Sequence, residues 1–195
     1  ALRAELKIPA KATVLITTSR LVRKNAVDDV IRALPKLPDA YFVVLGTGPD
    51  EWSLKLLAQE LKVAERVLFV GHLDHERIPR YLKMSDIFIR PSLSEGMGNS
   101  FIEAMAAGIP VIATSVGGIT DFLFDPGMNT DKEPTGLFCA VSDPESIIKQ
   151  VKRITSDTEL RERLVGNARK LVQKQYDWEQ VVSRMEQEVF AKLIG

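Results

Sequence analysis

Short apolar runs alternate along this chain with longer stretches whose apolar residues recur three and four apart. Residues 13–18, Thr-Val-Leu-Ile-Thr-Thr, read as a buried strand. In residues 26–37 that follow, Val27, Val30, Ile31 and Leu34 share one face of a predicted helix. Residues 41–45 form a second strand, ended by Gly46-Thr47-Gly48-Pro49, and residues 51–62 a helix with Leu54, Leu57, Ala58 and Leu61 on one side. Residues 67–70 give a third strand ended by Gly71, residues 76–84 a short helix, and residues 86–89 a fourth strand closed by Pro91. A helix over residues 100–107 stops at Gly108, a residue suited to the left-handed position after a helix. Residues 111–114 are a fifth strand, Gly117-Gly118 a tight turn, residues 125–135 a polar surface loop and residues 137–141 the last strand. Three helices are predicted from Pro144 onward, the last carrying an apolar stripe of Val181, Val182, Met185 and Val189.

Strands alternating with helices imply right-handed crossovers, hence an α/β fold: a doubly wound parallel sheet of about six strands, covered on both faces and followed by C-terminal helices. A length of 195 residues suits one such domain spanning the whole chain. Apolar content of 45% and charged content of 27% are ordinary for a soluble globular protein. Lys+Arg and Asp+Glu both number 26, so no net charge draws the chain toward nucleic acid or anionic lipid. The apolar runs are of strand length, too short to span a bilayer. The lone Cys139 sits in an apolar run and reads as core filler, which excludes a disulfide within the chain and suits a reducing cytosol. The start lacks both Met and a signal-peptide core, which points to a piece of a longer protein.

In a sheet of this kind ligands bind beyond the carboxyl ends of the strands, so the loops there are where chemistry belongs. Glu95-Gly96-Met97-Gly98-Asn99 feeds a helix whose free N–H groups and positive dipole end favour a phosphate. Glu95 is placed to accept hydrogen bonds from hydroxyls, or simply to be solvated. Glu103, one turn into the helix, fits equally a ligand contact or the second half of a capping box with Ser100. Arg20, Arg23 and Lys24 follow the first strand, where basic side chains can converge on a diphosphate; solvation is the alternative for Arg23 and Lys24. Gly46-Thr47-Gly48-Pro49 is a plain turn or a close approach of backbone to a base or ribose. His72 and His75 are the only histidines, and surface or supporting roles suit them better than metal ligation. No Gly-x-Ser-x-Gly elbow marks a hydrolase.

Taken in this order, the loops resemble family 4 of the retaining glycosyltransferases, and the chain the Rossmann-like C-terminal half of their two-domain GT-B fold. Ser19-Arg20-Leu21 resembles the Gly-Arg-Leu opening of the family, and residues 43–49 its Gly-x-Gly-Pro strand end. Val67-Leu68-Phe69-Val70-Gly71 is similar to its Val-x-Phe-x-Gly strand. Residues 91–111, with Glu95 and Glu103 separated by seven residues, match its two-glutamate signature, and Thr135-Gly136-Leu137-Phe138 and Asp143-Pro144-Glu145 its closing strand and helix start. Three positions depart from the pattern. Asn25-Ala26 stands where Lys-Gly is usual, with Lys24 one position early; Met97 replaces an aromatic; Thr120-Asp121 replaces Pro-Glu.

The resemblance implies roles. Arg20 and Lys24 would hold the donor diphosphate and Glu95 the hydroxyls of the donor sugar. N–H groups from Gly96, Met97, Gly98 and Asn99 would meet sugar and phosphate oxygens, Glu103 the ribose, and backbone near Gly48 and Leu73 the base. It implies a UDP-, GDP- or ADP-sugar donor, transfer with retention to an unidentified acceptor in glycan or glycolipid synthesis, and no metal or other cofactor. It also implies an acceptor-binding N-terminal domain, absent from this chain, with possible peripheral membrane contact, and a cytoplasmic enzyme whose isolated half is inactive. Two rival readings are a GT-B-fold sugar-nucleotide epimerase and a non-enzymatic nucleotide-binding module.

Overall fold

The computed structural model describes residues 2–176. The apolar stripe expected at Val181, Val182, Met185 and Val189 lies outside the described residues. Six strands form one sheet: β1 (Thr13–Thr18), β2 (Ala40–Leu45), β3 (Val67–Gly71), β4 (Ile87–Arg90), β5 (Val111–Thr114) and β6 (Leu137–Cys139). Their order is β3-β2-β1-β4-β5-β6 and all five pairings are parallel. The helices are α1 (Leu2–Glu5), α2 (Val27–Ala33), α3 (Glu51–Glu60), α4 (Ile78–Met84), α5 (Asn99–Ala107), α6 (Pro144–Ser156) and α7 (Thr158–Gln175).

The apolar runs of the strands are continuous because both faces of the sheet are covered. Alternate residues feed two separate cores. Leu15, Phe42, Val44, Ile87, Ile89, Ile112 and Leu137 join α2, α3 and α6 on one face. Val14, Ile16, Val43, Phe88, Val111, Ala113 and Phe138 join α1, α4 and α5 on the other. Helix α7 serves both, with Leu160 and Leu164 in the first core and Ala168 in the second. The Asp143 side chain caps α6 by accepting from the backbone N–H groups of Glu145 and Ser146.

The predicted helix over residues 26–37 is cut at both ends. A 3-10 turn occupies Arg23–Asn25, Ala26 takes a left-handed backbone at φ 48°, and a second 3-10 turn covers Leu34–Lys36. Pro35 has no N–H to continue the α-helical ladder, which accounts for the second cut. The last strand stops at Cys139, because the Ala140 N–H turns to the hydroxyl of Ser146 instead of the sheet. The short α1 gave no periodic signal and was not predicted; Arg3 fastens it by donating to Asp86 Oδ2 (2.9 Å), Met84 O (2.8 Å) and Ala12 O (3.2 Å). The loop over residues 125–135 is polar but its ends are not loose. Buried Asp125 accepts from the N–H groups of Gly127 and Phe138 (both 2.7 Å), and buried Thr135 donates to Phe122 O (2.8 Å).

Candidate active site

The chain runs outward from β1 to β3 and then crosses back to β4, so β1 and β4 are neighbours whose connections leave in opposite directions. Such a switch point opens a crevice at the carboxyl ends of the strands. Here it is a cleft of ≈ 900 Å³. Thr18, Ser19 and Arg20 line it from the end of β1, residues 45–49 from β2, His72, Leu73 and His75 from the β3 loop, and Ile78 from α4. Arg90, Glu95, Gly98, Asn99, Ser100 and Glu103 complete it from the end of β4 and the start of α5.

Backbone hydrogen bonds lace these loops together before any side chain is considered. Leu21 N–H donates to Thr47 O (2.9 Å), Asp50 N–H to Leu21 O (3.1 Å), Gly46 N–H to Gly71 O (2.7 Å) and Leu93 N–H to Lys24 O (2.7 Å). This contact explains the Gly-x-Gly at the end of β2: a Cβ at Gly48 would lie 2.1 Å from Leu21 O, and one at Gly46 2.0 Å from Ser19 O. The glycines admit the chain's own first loop, whatever else they admit. The Gly117-Gly118 turn backs the signature loop in the same way, since a Cβ at Gly117 would meet Glu95 O at 1.9 Å.

Gly98, the N-cap of helix α5, has a left-handed φ of 65°, and among the described residues no side chain caps the helix. The capping box that Ser100 and Glu103 were equally suited to is therefore not formed. The Ser100 hydroxyl accepts from Arg90 Nη1 (2.8 Å). The Glu103 carboxylate, half-buried on the cleft wall, lies 3.9 Å from His75 Nδ1. The open end of α5 leaves backbone N–H groups and a positive dipole end facing a cleft, a ready anion site.

Arg20 is exposed and lines the cleft, as Gly48, Leu73, Gly98, Asn99, Glu95 and Glu103 also do. Lys24, Gly96 and Met97 are exposed and lie outside that lining. Lys24 sits in the 3-10 turn Arg23–Asn25, and it is Asn25 that turns inward: buried, it donates Nδ2 to Arg20 O (2.7 Å) and so braces the loop carrying Arg20. His72 and His75 are exposed members of the cleft wall.

The sequence reading overlooked Arg90. Its side chain is only 8% exposed and pairs with Glu95, itself 11% exposed. Arg90 also donates to Thr18 O (3.2 Å) and stacks its guanidinium 4.4 Å over the Phe101 ring. Burial pulls the guanidinium below its ordinary range, and the Glu95 carboxylate beside it pushes it back up. One signal was legible: a charge ending an apolar strand, immediately before Pro91, in a sheet whose strand ends carry the chemistry.

Residues 1–171 match the family described as "Glycosyl transferases group 1". The chain belongs to this family. It is 32% identical to N-acetyl-alpha-D-glucosaminyl L-malate synthase of Bacillus anthracis over 188 residues, covering 95% of this chain and 47% of that protein. Among solved structures, sucrose-phosphate synthase from Thermosynechococcus elongatus superposes with a TM-score of 0.85 at 30% identity, over 98% of this chain and 48% of that one. Anabaena HepE, solved in complex with UDP-glucose, superposes at 0.86 with 21% identity over 97% of this chain and 51% of that one, a likeness of fold. The six-stranded parallel sheet with helices on both faces is thus the Rossmann-like architecture of GT-B glycosyltransferases. The chain spans about half the length of the relatives it matches. Among the described residues, no helix is long and apolar enough to cross a membrane.

Proposed function

We propose that the cleft binds a nucleoside-diphosphate sugar and that the protein carrying this domain transfers the sugar, with retention and without a metal ion, to an acceptor in glycan or glycolipid synthesis. The observation that supports this most is the convergence, at one switch-point cleft, of the uncapped N-terminus of α5 with Arg20, Glu95 and Glu103. In this reading the anomeric carbon–oxygen bond to the diphosphate breaks, the acceptor hydroxyl oxygen bonds to the same face, and the hydroxyl proton passes to the departing diphosphate oxygen. The departing diphosphate gathers negative charge, which Arg20 and the amides at the start of α5 stabilise electrostatically. Lys24 is the proposed second cation; its backbone carbonyl is fixed by Leu93, while its side chain starts from outside the cleft. Glu95 holds the sugar hydroxyls together with N–H groups of the segment Gly96, Met97, Gly98 and Asn99, and Glu103 holds the ribose. Backbone near Gly48 and Leu73 frames the base.

The donor is a UDP-, GDP- or ADP-sugar. HepE was solved with UDP-glucose, which puts uridine donors first in a test panel. This chain is about half of its relatives' length, which supports placing the acceptor site in an N-terminal domain outside it; the larger protein is proposed to work in the cytoplasm. The test is a thermal-shift panel of the three nucleotide sugars, followed by transfer assays of Glu95→Ala in the full-length protein. A severe loss of transfer is expected. Unchanged transfer would remove Glu95 from the reaction, nucleotide binding with no turnover by the wild-type full-length protein would leave a non-enzymatic nucleotide-binding module standing, and an epimerised sugar in place of a glycoside would establish the epimerase instead.

A further inference from the structure

Resting on the reading of Glu95 as the donor-sugar contact, we propose that Arg90 is the positioning residue that sets the Glu95 carboxylate for the donor. Four observations carry this. First, Arg90 holds Glu95 by one oxygen only. Oε2 accepts from Arg90 Nη2 and, at 3.4 Å, from the Ser92 hydroxyl, while no protein group among the described residues bonds Oε1. One oxygen of the carboxylate is thus fixed and the other is left for a ligand. Second, Arg90 is itself over-determined: Nη1 is shared between Thr18 O at the end of β1 and Ser100 Oγ at the start of α5, and the plane of the guanidinium rests on Phe101. A group tied to β1, to α5 through both Ser100 and Phe101, and to the loop carrying Glu95 has little rotamer freedom to lose when a ligand arrives.

Third, the backbone makes room for this arrangement. Gly98 has φ +65°, and a Cβ there would lie 2.7 Å from the Phe101 ring and 3.1 Å from Arg90 Nη2. The glycine after Met97 is therefore needed by the Arg90–Phe101 stack, not only by a ligand. Fourth, the pair lies at the cleft and not in a sealed core, for both Arg90 and Glu95 line the cavity. A buried ion pair adds little stability of its own, because desolvating two charges offsets most of their attraction. It does fix geometry, and at the wall of a ligand cleft geometry is the useful product. Arg90 is not offered as a diphosphate contact, since its charge is already matched by Glu95.

The inference separates two ligands. A nucleoside diphosphate has no donor sugar for Glu95 to hold, whereas the nucleotide sugar does. In the full-length protein, with the donor identified by the panel above, calorimetric affinities for diphosphate and nucleotide sugar are measured for wild type, Glu95→Gln, Arg90→Gln, Arg90→Lys and the double variant Glu95→Gln/Arg90→Gln. Arg90→Gln is expected to weaken the nucleotide sugar about ten- to hundredfold, the worth of one charge-assisted hydrogen bond, and the diphosphate less than about threefold. The double variant is expected to match the worse single variant, because both substitutions remove the same contact. Arg90→Lys keeps a positive charge in place and guards against a folding failure of the glutamine variant. It is expected to fall between wild type and Arg90→Gln for the sugar nucleotide alone, because a point charge cannot hold Thr18, Ser100 and Glu95 at once. If Glu95→Gln is selective for the sugar nucleotide but both Arg90 variants weaken the two ligands equally or not at all, the positioning role is refuted and the reading of Glu95 stands. If Glu95→Gln is itself unselective, the donor-sugar reading fails and this inference falls with it.

Discussion

The two glutamates of one nine-residue segment occupy different surroundings, and the residues around each decide what a substitution does. Glu95 is drawn into an ion pair with Arg90, while Glu103 stands half-buried on the cleft wall and, among the described residues, has no arginine or lysine partner. If Glu103 holds the ribose, Glu103→Gln should weaken nucleoside diphosphate binding about tenfold or more, the order of one charged hydrogen bond, yet leave binding of the 2′,3′-dideoxy analogue unchanged. Equal loss for both nucleotides in calorimetry would remove Glu103 from the ribose. Arg20→Ala should cost about 1.5–3 kcal/mol of nucleotide affinity, and an unchanged affinity would refute its phosphate role. Cys139 illustrates a residue with no part in the cleft. Its thiol, buried against Ala113 O at 3.4 Å, is pushed from 9.0 up to about 12, first by burial and then by Asp29 and Asp143. The folded chain thus keeps this proton to higher pH than the unfolded chain does. The stability it contributes is fully present below about pH 9 and is lost as pH rises from there toward 12. Denaturant midpoints should show wild type losing about 1.4 kcal/mol more than Cys139→Ala one pH unit above the ordinary thiol value.

At the scale of elements, the site is a set of loops pressed backbone to backbone, and its glycines differ in why they are glycine. Gly117, at φ +54°, faces Glu95 O so closely that any Cβ must move the signature loop, whereas a Cβ at Gly96 would meet nothing within 4 Å. Gly117→Ala should therefore destabilise the domain by about 1–3 kcal/mol and weaken donor binding, while Gly96→Ala changes stability by less than about 0.5 kcal/mol. Thermal denaturation of the two variants side by side is the check. The reverse case is Ala26, an alanine held in a left-handed backbone where the resembling family carries glycine. The turn it closes points Lys24 outward and Asn25 inward, which is the structural form of the displaced lysine seen in the sequence.

For the whole molecule, two cores on opposite faces of one parallel sheet position a cleft at the β1–β4 switch point. A donor that binds only the folded state, at a hundredfold excess over its Kd, should raise Tm by about 5–10 °C. One class of nucleotide should stand out in the panel; no shift with any of them would count against a nucleotide cleft. Because relatives are about twice as long, the 195-residue chain alone is expected to bind nucleotide weakly and to transfer little or no sugar. Robust transfer by this chain alone would show that the cleft needs no second wall.

The layers are legible in the order of residues along the chain. Short continuous apolar runs such as residues 41–45 and the spacing of Val27, Val30, Ile31 and Leu34 specify buried strands and a helix face through local geometry alone, and the right-handed crossover follows from chirality. That order also placed Arg20 and Glu95 in loops beyond strand ends and Glu103 one turn into the helix that follows, at the edge where a doubly wound sheet keeps its ligands. What those residues touch emerges only when the chain is packed. Whether Ser100 caps α5 or accepts from Arg90, whether Gly48 frames a ligand or admits Leu21, and which way Lys24 turns all depend on contacts between segments distant in sequence. Arg90 reads as one charge at a strand end; its pairing with Glu95, its seat on Phe101 and its bond to Thr18 exist only once β1, β4 and α5 are packed together.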